Sequence, residues 1–120
     1  MKPRIDHVKF GSITIGGTVS EQDVIIRLNG HVEKRNKKLS KAVYGTSHTV
    51  SLDEVKYIYE KGAKRLMIGT GQQDLVKLSN EAAEYLQRRQ CQVELLPTRE
   101  AICVWNQAWG AVIGLFHITC

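Results

Sequence analysis

At 120 residues, with a net charge of +5, 42% hydrophobic and 24% charged residues, the chain has the make-up of an ordinary soluble globular protein of one domain, residues 1–120. No apolar run approaches the ~18 residues of a membrane-spanning helix, and the opening MKPRIDHVKF lacks the apolar stretch of a secretory signal. The expectation is a cytoplasmic protein with no membrane role. Three cysteines, Cys91, Cys103 and Cys120, lie far apart without a C-x-x-C, which fits a reduced compartment better than a disulfide framework.

The first part, to about residue 48, reads as antiparallel β-structure. VKFGSITIGG holds two short apolar runs broken by glycine, with Gly16-Gly17 as a turn. In DVIIRLNGHVEKR a β-branched run meets Asn29-Gly30, the pair that tolerates a type I′ turn, so a hairpin is predicted. Lys34, Arg35, Lys37, Lys38 and Lys41 follow within EKRNKKLSK. Without interleaved aromatics or a recognisable nucleic-acid motif, this run reads as a solvated loop. Phosphate neutralisation by it remains an alternative.

From about residue 49 the period changes. Ser51 stands three residues before Glu54, the spacing at which hydroxyl and carboxylate satisfy each other's backbone donors. Leu52, Val55, Ile58 and Tyr59 then share one helical stripe, and Gly62 is the predicted stop. RLMIG reads as a buried strand. A second helix starts at Ser79, with Ala82, Ala83 and Leu86 inward and Glu84 paired to Arg88 outside. QVELLP is a strand ended by Pro97. Thr98 is the predicted N-cap of a third helix whose stripe runs Ala101, Val104, Trp105, Ala108, Trp109. AVIGLFHITC closes the chain as a strand. Strands alternating with helices imply parallel crossovers, hence an α/β fold: three layers, a mixed and mostly parallel central sheet with flanking helices, and N-terminal antiparallel β-hairpins.

The turn in RLMIGTGQQD resembles a dinucleotide fingerprint only in part. Its frame is Gly69-x-Gly71-x-x-Asp74, with aspartate in place of the third glycine, and the next helix signal comes eight residues after Gly71. A nucleotide cofactor is therefore not expected, and no other cofactor is implied. The carboxyl ends of two neighbouring strands remain a natural ligand crevice, where Gly69, Thr70 and Gly71 would face Thr98 and Arg99 and receive a phosphate or carboxylate. In HITC, residues His117 and Cys120 would point to opposite faces of a straight strand and share neither proton nor metal unless the chain bends. No other histidine has a ligand-spaced companion, so neither a metal site nor a catalytic constellation is expected.

Taken in order, FGSITIGG, DVIIRLNGHV, GTSHTVSLDEV, MIGTGQQD, LPTREAICVWN and LFHITC resemble the MTH nine-three-eight-like domain family, also called the adipogenesis-associated domain, over nearly the whole chain. The sequence departs from that pattern at Val104-Trp105-Asn106, where a tyrosine would precede the asparagine, and in a shortened segment after Trp109. The resemblance implies a three-layer α/β fold with a mixed sheet and no established reaction. Its mitochondrial relatives look like assembly factors for respiratory complex I and others look like cytoplasmic regulatory proteins, which implies a non-catalytic role with a protein partner. By the same likeness His48, Gly69, Thr70, Gly71, Thr98, Ala101 and Asn106 form a candidate cleft. A small-anion ligand is the alternative and nucleic-acid binding through residues 34–41 a second one; the oligomeric state stays open.

Overall fold

Short β-branched runs punctuated by glycine make the strands of this protein, and amphipathic stretches cover them. The structure, a computed structural model, describes residues 2–120. The first five strands are β1 (Ile5–Lys9), β2 (Ser12–Ile15), β3 (Thr18–Ser20), β4 (Val24–Ile26) and β5 (Val32–Lys34). Then come α1 (Lys38–Tyr44), β6 (Thr49–Val50), α2 (Leu52–Ile58), β7 (Arg65–Thr70) and β8 (Lys77–Leu78). The chain finishes with α3 (Asn80–Arg88), β9 (Gln92–Leu96), α4 (Thr98–Gln107) and β10 (Val112–His117).

Five strands form the central sheet in the order β5-β4-β10-β7-β9. The last strand, β10, lies at its middle, antiparallel to β4 and parallel to β7, and β7 is parallel to β9. Every residue of β10 is buried, as a strand covered on both faces must be. Alternate residues feed two cores. Leu66, Ile68, Ile113 and Leu115 meet Val55 and Ile58 of α2 and Ala82 and Leu86 of α3. Met67, Val112 and Phe116 face the other way, onto Ala101, Ile102 and Trp105 of α4 and onto Ile5, Ile13 and Ile15 of the β1-β2-β3 sheet. The three layers are as predicted. β6 and β8 add a short parallel pair.

Trp105 anchors the second core. Its ring meets Phe116 edge-on at 5.6 Å between centroids, and its indole N–H donates to the Pro3 carbonyl at 2.9 Å. Trp109, expected on the same stripe, is 87% exposed because α4 ends at Gln107 and the backbone turns extended at Ala108. Ile102 is buried in its stead. Ala83 also proves exposed; the buried residues of α3 are Ala82 and Leu86.

The remaining departures are local. The β4–β5 hairpin forms, but Asn29 is not among the positive-φ residues; Gly30 alone takes φ 89°. Gly30 N–H donates to the Arg27 carbonyl and Arg27 N–H to that of His31, so the loop is a type I turn with a glycine bulge rather than type I′. The basic segment is no loop: residues 38–44 coil into α1, closed by Gly45 in the left-handed conformation. Helix α2 stops at Ile58, short of Gly62. Half of its capping box forms. Ser51 Oγ accepts from Glu54 N–H at 3.1 Å, while the Ser51 N–H goes to Ser40 Oγ, because the Glu54 carboxylate is engaged elsewhere. Thr98 is the first residue of α4 rather than its cap; Pro97 precedes it. Among the described residues no helix is long and apolar enough to cross a membrane.

Candidate functional site at the carboxyl edge of the sheet

The parallel strands β7, β9 and β10 all deliver their carboxyl ends to one rim. Thr98, just beyond β9, stitches that rim together. Its hydroxyl donates to the His117 carbonyl at 2.6 Å and accepts from Gly71 N–H at 2.8 Å. Gly69 is a glycine for lack of room, since a Cβ there would sit 2.9 Å from Thr98 Oγ1. After Gly71 no helix begins: the chain makes a turn in which Asp74, at φ 57°, accepts from the Thr70 hydroxyl, and α3 starts only at Asn80. The geometry of a dinucleotide fold, with a helix rising from the second glycine, is not here.

The space over the glycine turn is filled by the chain's own last residues. Gln72 and Gln73 N–H groups donate to the Thr119 and Cys120 carbonyls at 2.8 and 3.1 Å. A Cβ on Gly71 would lie 2.5 Å from the Cys120 carbonyl carbon. Of the expected cleft residues, His48, Gly69, Thr70, Gly71 and Thr98 do gather around this segment. Three do not. The Arg99 side chain lies in solvent, Ala101 is fully buried on the core-facing side of α4, and Asn106 sits at the far end of that helix. There its amide takes the Ile5 N–H at 2.9 Å and gives a proton to the Ile5 carbonyl at 2.8 Å.

Beside this rim lies a buried charged cluster that no local motif announces. Arg35 has no exposed side-chain surface; its guanidinium meets Glu54 at 2.7 and 3.0 Å, Asp23 at 3.0 Å and the Ser47 carbonyl at 2.7 Å. Ser40 Oγ donates to the same Glu54 carboxylate. The buried Asp23 also accepts from the Ile118 N–H at 2.9 Å and pairs with His117 Nδ1 at 2.7 Å. Among the described residues every buried side-chain nitrogen and oxygen has a partner. Burial pushes the Asp23 carboxyl up, but the hydrogen bond and charge of His117, the Ile118 amide and Lys37 overcome it and hold the group at about 2. Burial likewise opposes the Arg35 charge, and Glu54 and Asp23 outweigh it, so its pKa is raised.

Because Asp23 titrates lower when folded than its ordinary 3.8, its contribution is complete above that value and disappears as pH falls through about 2. The shift corresponds to about 2 kcal/mol. Urea denaturation should therefore show the stability gap between wild type and Asp23→Asn shrinking as pH drops from 5 toward 2. A gap that stays constant would contradict this placement of the carboxylate.

Above the cluster opens a cavity of about 410 Å³ whose wall includes Lys34, Lys37, Lys38, Lys41, Glu21 and Thr119. Lys37 leans to Asp23 at 3.6 Å. Among the described residues Lys34, Lys38 and Lys41 have no ion-pair partner. The cavity abuts the carboxyl end of β10 through Ile118 and Thr119, one strand away from the turn where sequence placed the crevice.

His117 and Cys120 do come together, contrary to the straight-strand expectation. β10 ends at His117 and the chain bends across the glycine turn, which returns Cys120 to the histidine's side. His48, on the segment entering β6, adds its ring at 5.5 Å, edge-on to His117. Ligand-type atoms of His48, His117 and Cys120 all lie within 4.8 Å of one another. The cluster of Asp23, Arg35, Glu54 and His117 was not legible locally, since Asp23 and His117 are 94 residues apart. The His117–Cys120 pair, by contrast, was visible in HITC and lacked only the bend.

Solved structures carry the same arrangement of elements. The conserved hypothetical protein PH1505 from Pyrococcus horikoshii OT3 is 29% identical, with 98% of this chain and 99% of that one covered and a TM-score of 0.91. The protein MT938 is 27% identical over 99% of this chain and 100% of its own, with a TM-score of 0.85. An Mth938-like domain from Bordetella pertussis, solved by solution NMR, is 14% identical over 97% of this chain and 85% of its own, and its TM-score of 0.64 supports the fold alone. The family model for a protein of unknown function, DUF498/DUF598, matches residues 5–112. On that match the chain belongs to the DUF498/DUF598 family, with the fold of the Mth938-like domain.

Proposed function

We propose that this protein binds a small polyanion, a phosphate- or carboxylate-bearing ligand, in the lysine-walled cavity beside β10. The observation that carries the reading is that Lys34, Lys38 and Lys41 converge on a 410 Å³ space, a volume typical of small-ligand sites, without carboxylates of their own. Buried Arg35 is already satisfied by Asp23 and Glu54, so it shapes the floor and leaves the lysines to meet the ligand. Lysine heads on flexible stems suit point contacts to phosphate oxygens.

Calorimetric titration with pyrophosphate and with citrate tests this. Saturable one-to-one binding is expected, weakened roughly tenfold by Lys38→Gln together with Lys41→Gln, each lost contact being worth about 1 kcal/mol or less. Binding of a short nucleic-acid duplex with steep salt dependence, and no response to either small anion, would replace this reading with the nucleic-acid one.

A second reading is a protein-docking role without catalysis. It rests on Trp109, 87% exposed, and on Leu95, exposed on the edge strand β9. Exposed aromatics of this size are frequent anchors of interfaces. Native mass spectrometry of the protein isolated from its source should then retain one defined partner that Trp109→Ala releases; retention by the variant would count against it.

A further inference from the structure

We infer that His48, His117 and Cys120 form a binding site for a zinc-class divalent ion, independent of the anion pocket. Two imidazoles and a thiolate are the donor set such an ion selects, and three protein ligands leave a fourth position for water or a substrate atom. Tetrahedral bond lengths of ~2.0–2.3 Å place ligand atoms about 3.3–3.6 Å apart. Here all three lie within 4.8 Å of one another, so closure onto an ion needs contractions of about 1 Å. His48 and Cys120 are only half-buried and free to make them, whereas His117 is held rigidly.

The second, independent observation is how His117 is held. The Asp23 carboxylate lies 2.7 Å from Nδ1, so in the neutral imidazole that a metal requires this nitrogen carries the proton and donates it. Nε2 is left as the acceptor, now taking the Thr119 hydroxyl at 3.1 Å. A carboxylate behind a histidine in this way fixes the tautomer and aims the free lone pair, the outer-sphere arrangement of metal-bound histidines. Asp23 is itself locked by Arg35 and the Ile118 amide, which makes the aim rigid. Binding releases the Thr119 hydroxyl from Nε2 and, with a protonated thiol, frees one proton to solvent.

Cobalt(II), alone and under reducing conditions, is titrated into the full chain. One equivalent should give the intense visible bands of a tetrahedral ion and a near-ultraviolet thiolate charge-transfer band, both removed by one equivalent of zinc. Cys120→Ser should abolish the charge-transfer band, His48→Ala should weaken binding roughly tenfold or more, and Cys103→Ser, whose thiol is exposed on α4, should change neither. Circular dichroism establishes that each variant is folded. Should Cys120→Ser not fold, zinc protection of the wild-type thiols from alkylation decides: Cys120 is shielded and Cys103 is not. Octahedral spectra, bands that survive Cys120→Ser in a folded variant, absence of saturation, or equal alkylation of both thiols with and without zinc would each overturn the site.

Discussion

Arg35→Ala is expected to lower stability by about 3–5 kcal/mol, a fall in Tm of roughly 10–20 °C for a chain of this size. The cause is less the lost attraction than what is left behind. Asp23 and Glu54 are both buried, and without the guanidinium two carboxylates would face each other across a site closed to water. Glu54 would keep Ser40 and Asp23 would keep His117 and the Ile118 amide, so neither becomes wholly orphaned. Adding Glu54→Gln to Arg35→Ala should therefore recover part of the loss, because it deletes one of the unpaired charges. Urea denaturation of the four proteins of this cycle measures the coupling. An Arg35→Ala cost under about 1 kcal/mol would mean that the side chain is solvated, as the basic run in the sequence implied, and not buried between two carboxylates.

Gly71→Ala is expected to cost about 2–4 kcal/mol, and Gly62→Ala distinctly less. Both glycines hold φ at +97°, so an alanine is strained by a similar amount at either. They differ in what surrounds them. A Cβ at Gly62 meets nothing within 4 Å, whereas at Gly71 it would press on the Cys120 carbonyl at 2.5 Å and on the His117 ring at 2.8 Å. The excess at position 71 thus measures the seating of the last residues over the turn. The same substitution should lift residues 119–120 and speed alkylation of Cys120, read by peptide mass. Equal costs at 62 and 71, with unchanged thiol reactivity, would show that the terminal segment does not rest on the glycine.

The two substitutions separate what each half of the site depends on. Arg35 supports the wall beneath the lysines, and Gly71 permits the bend that carries Cys120 toward His48 and His117. Loss of anion binding through the lysine variants leaves that bend intact, so the pocket and the proposed metal site can fail independently.

Local pattern alone was enough to place most of the elements. The β-branched run before Asn29-Gly30, the Ser51 and Ser79 caps and the Pro97 stop act within a few residues, and such signals read directly from the chain. The short apolar run RLMIG likewise announced a buried strand and AVIGLFHITC a closing one, while the place of β10 at the middle of the sheet came only from the fold. Tertiary structure decided the rest, because it depended on pairings far apart in sequence. Arg35 looked like one more solvated cation until Asp23 and Glu54 closed around it. Thr98 had the chemistry of a cap, yet bridging Gly71 to His117 employs its hydroxyl instead. The spacing after Gly71 announced no helix rising from that turn, as found, but only the fold shows that residues 119–120 lie over it. His117 and Cys120 met for the same reason: a strand's period says where side chains point only while the strand continues, and β10 ends at His117.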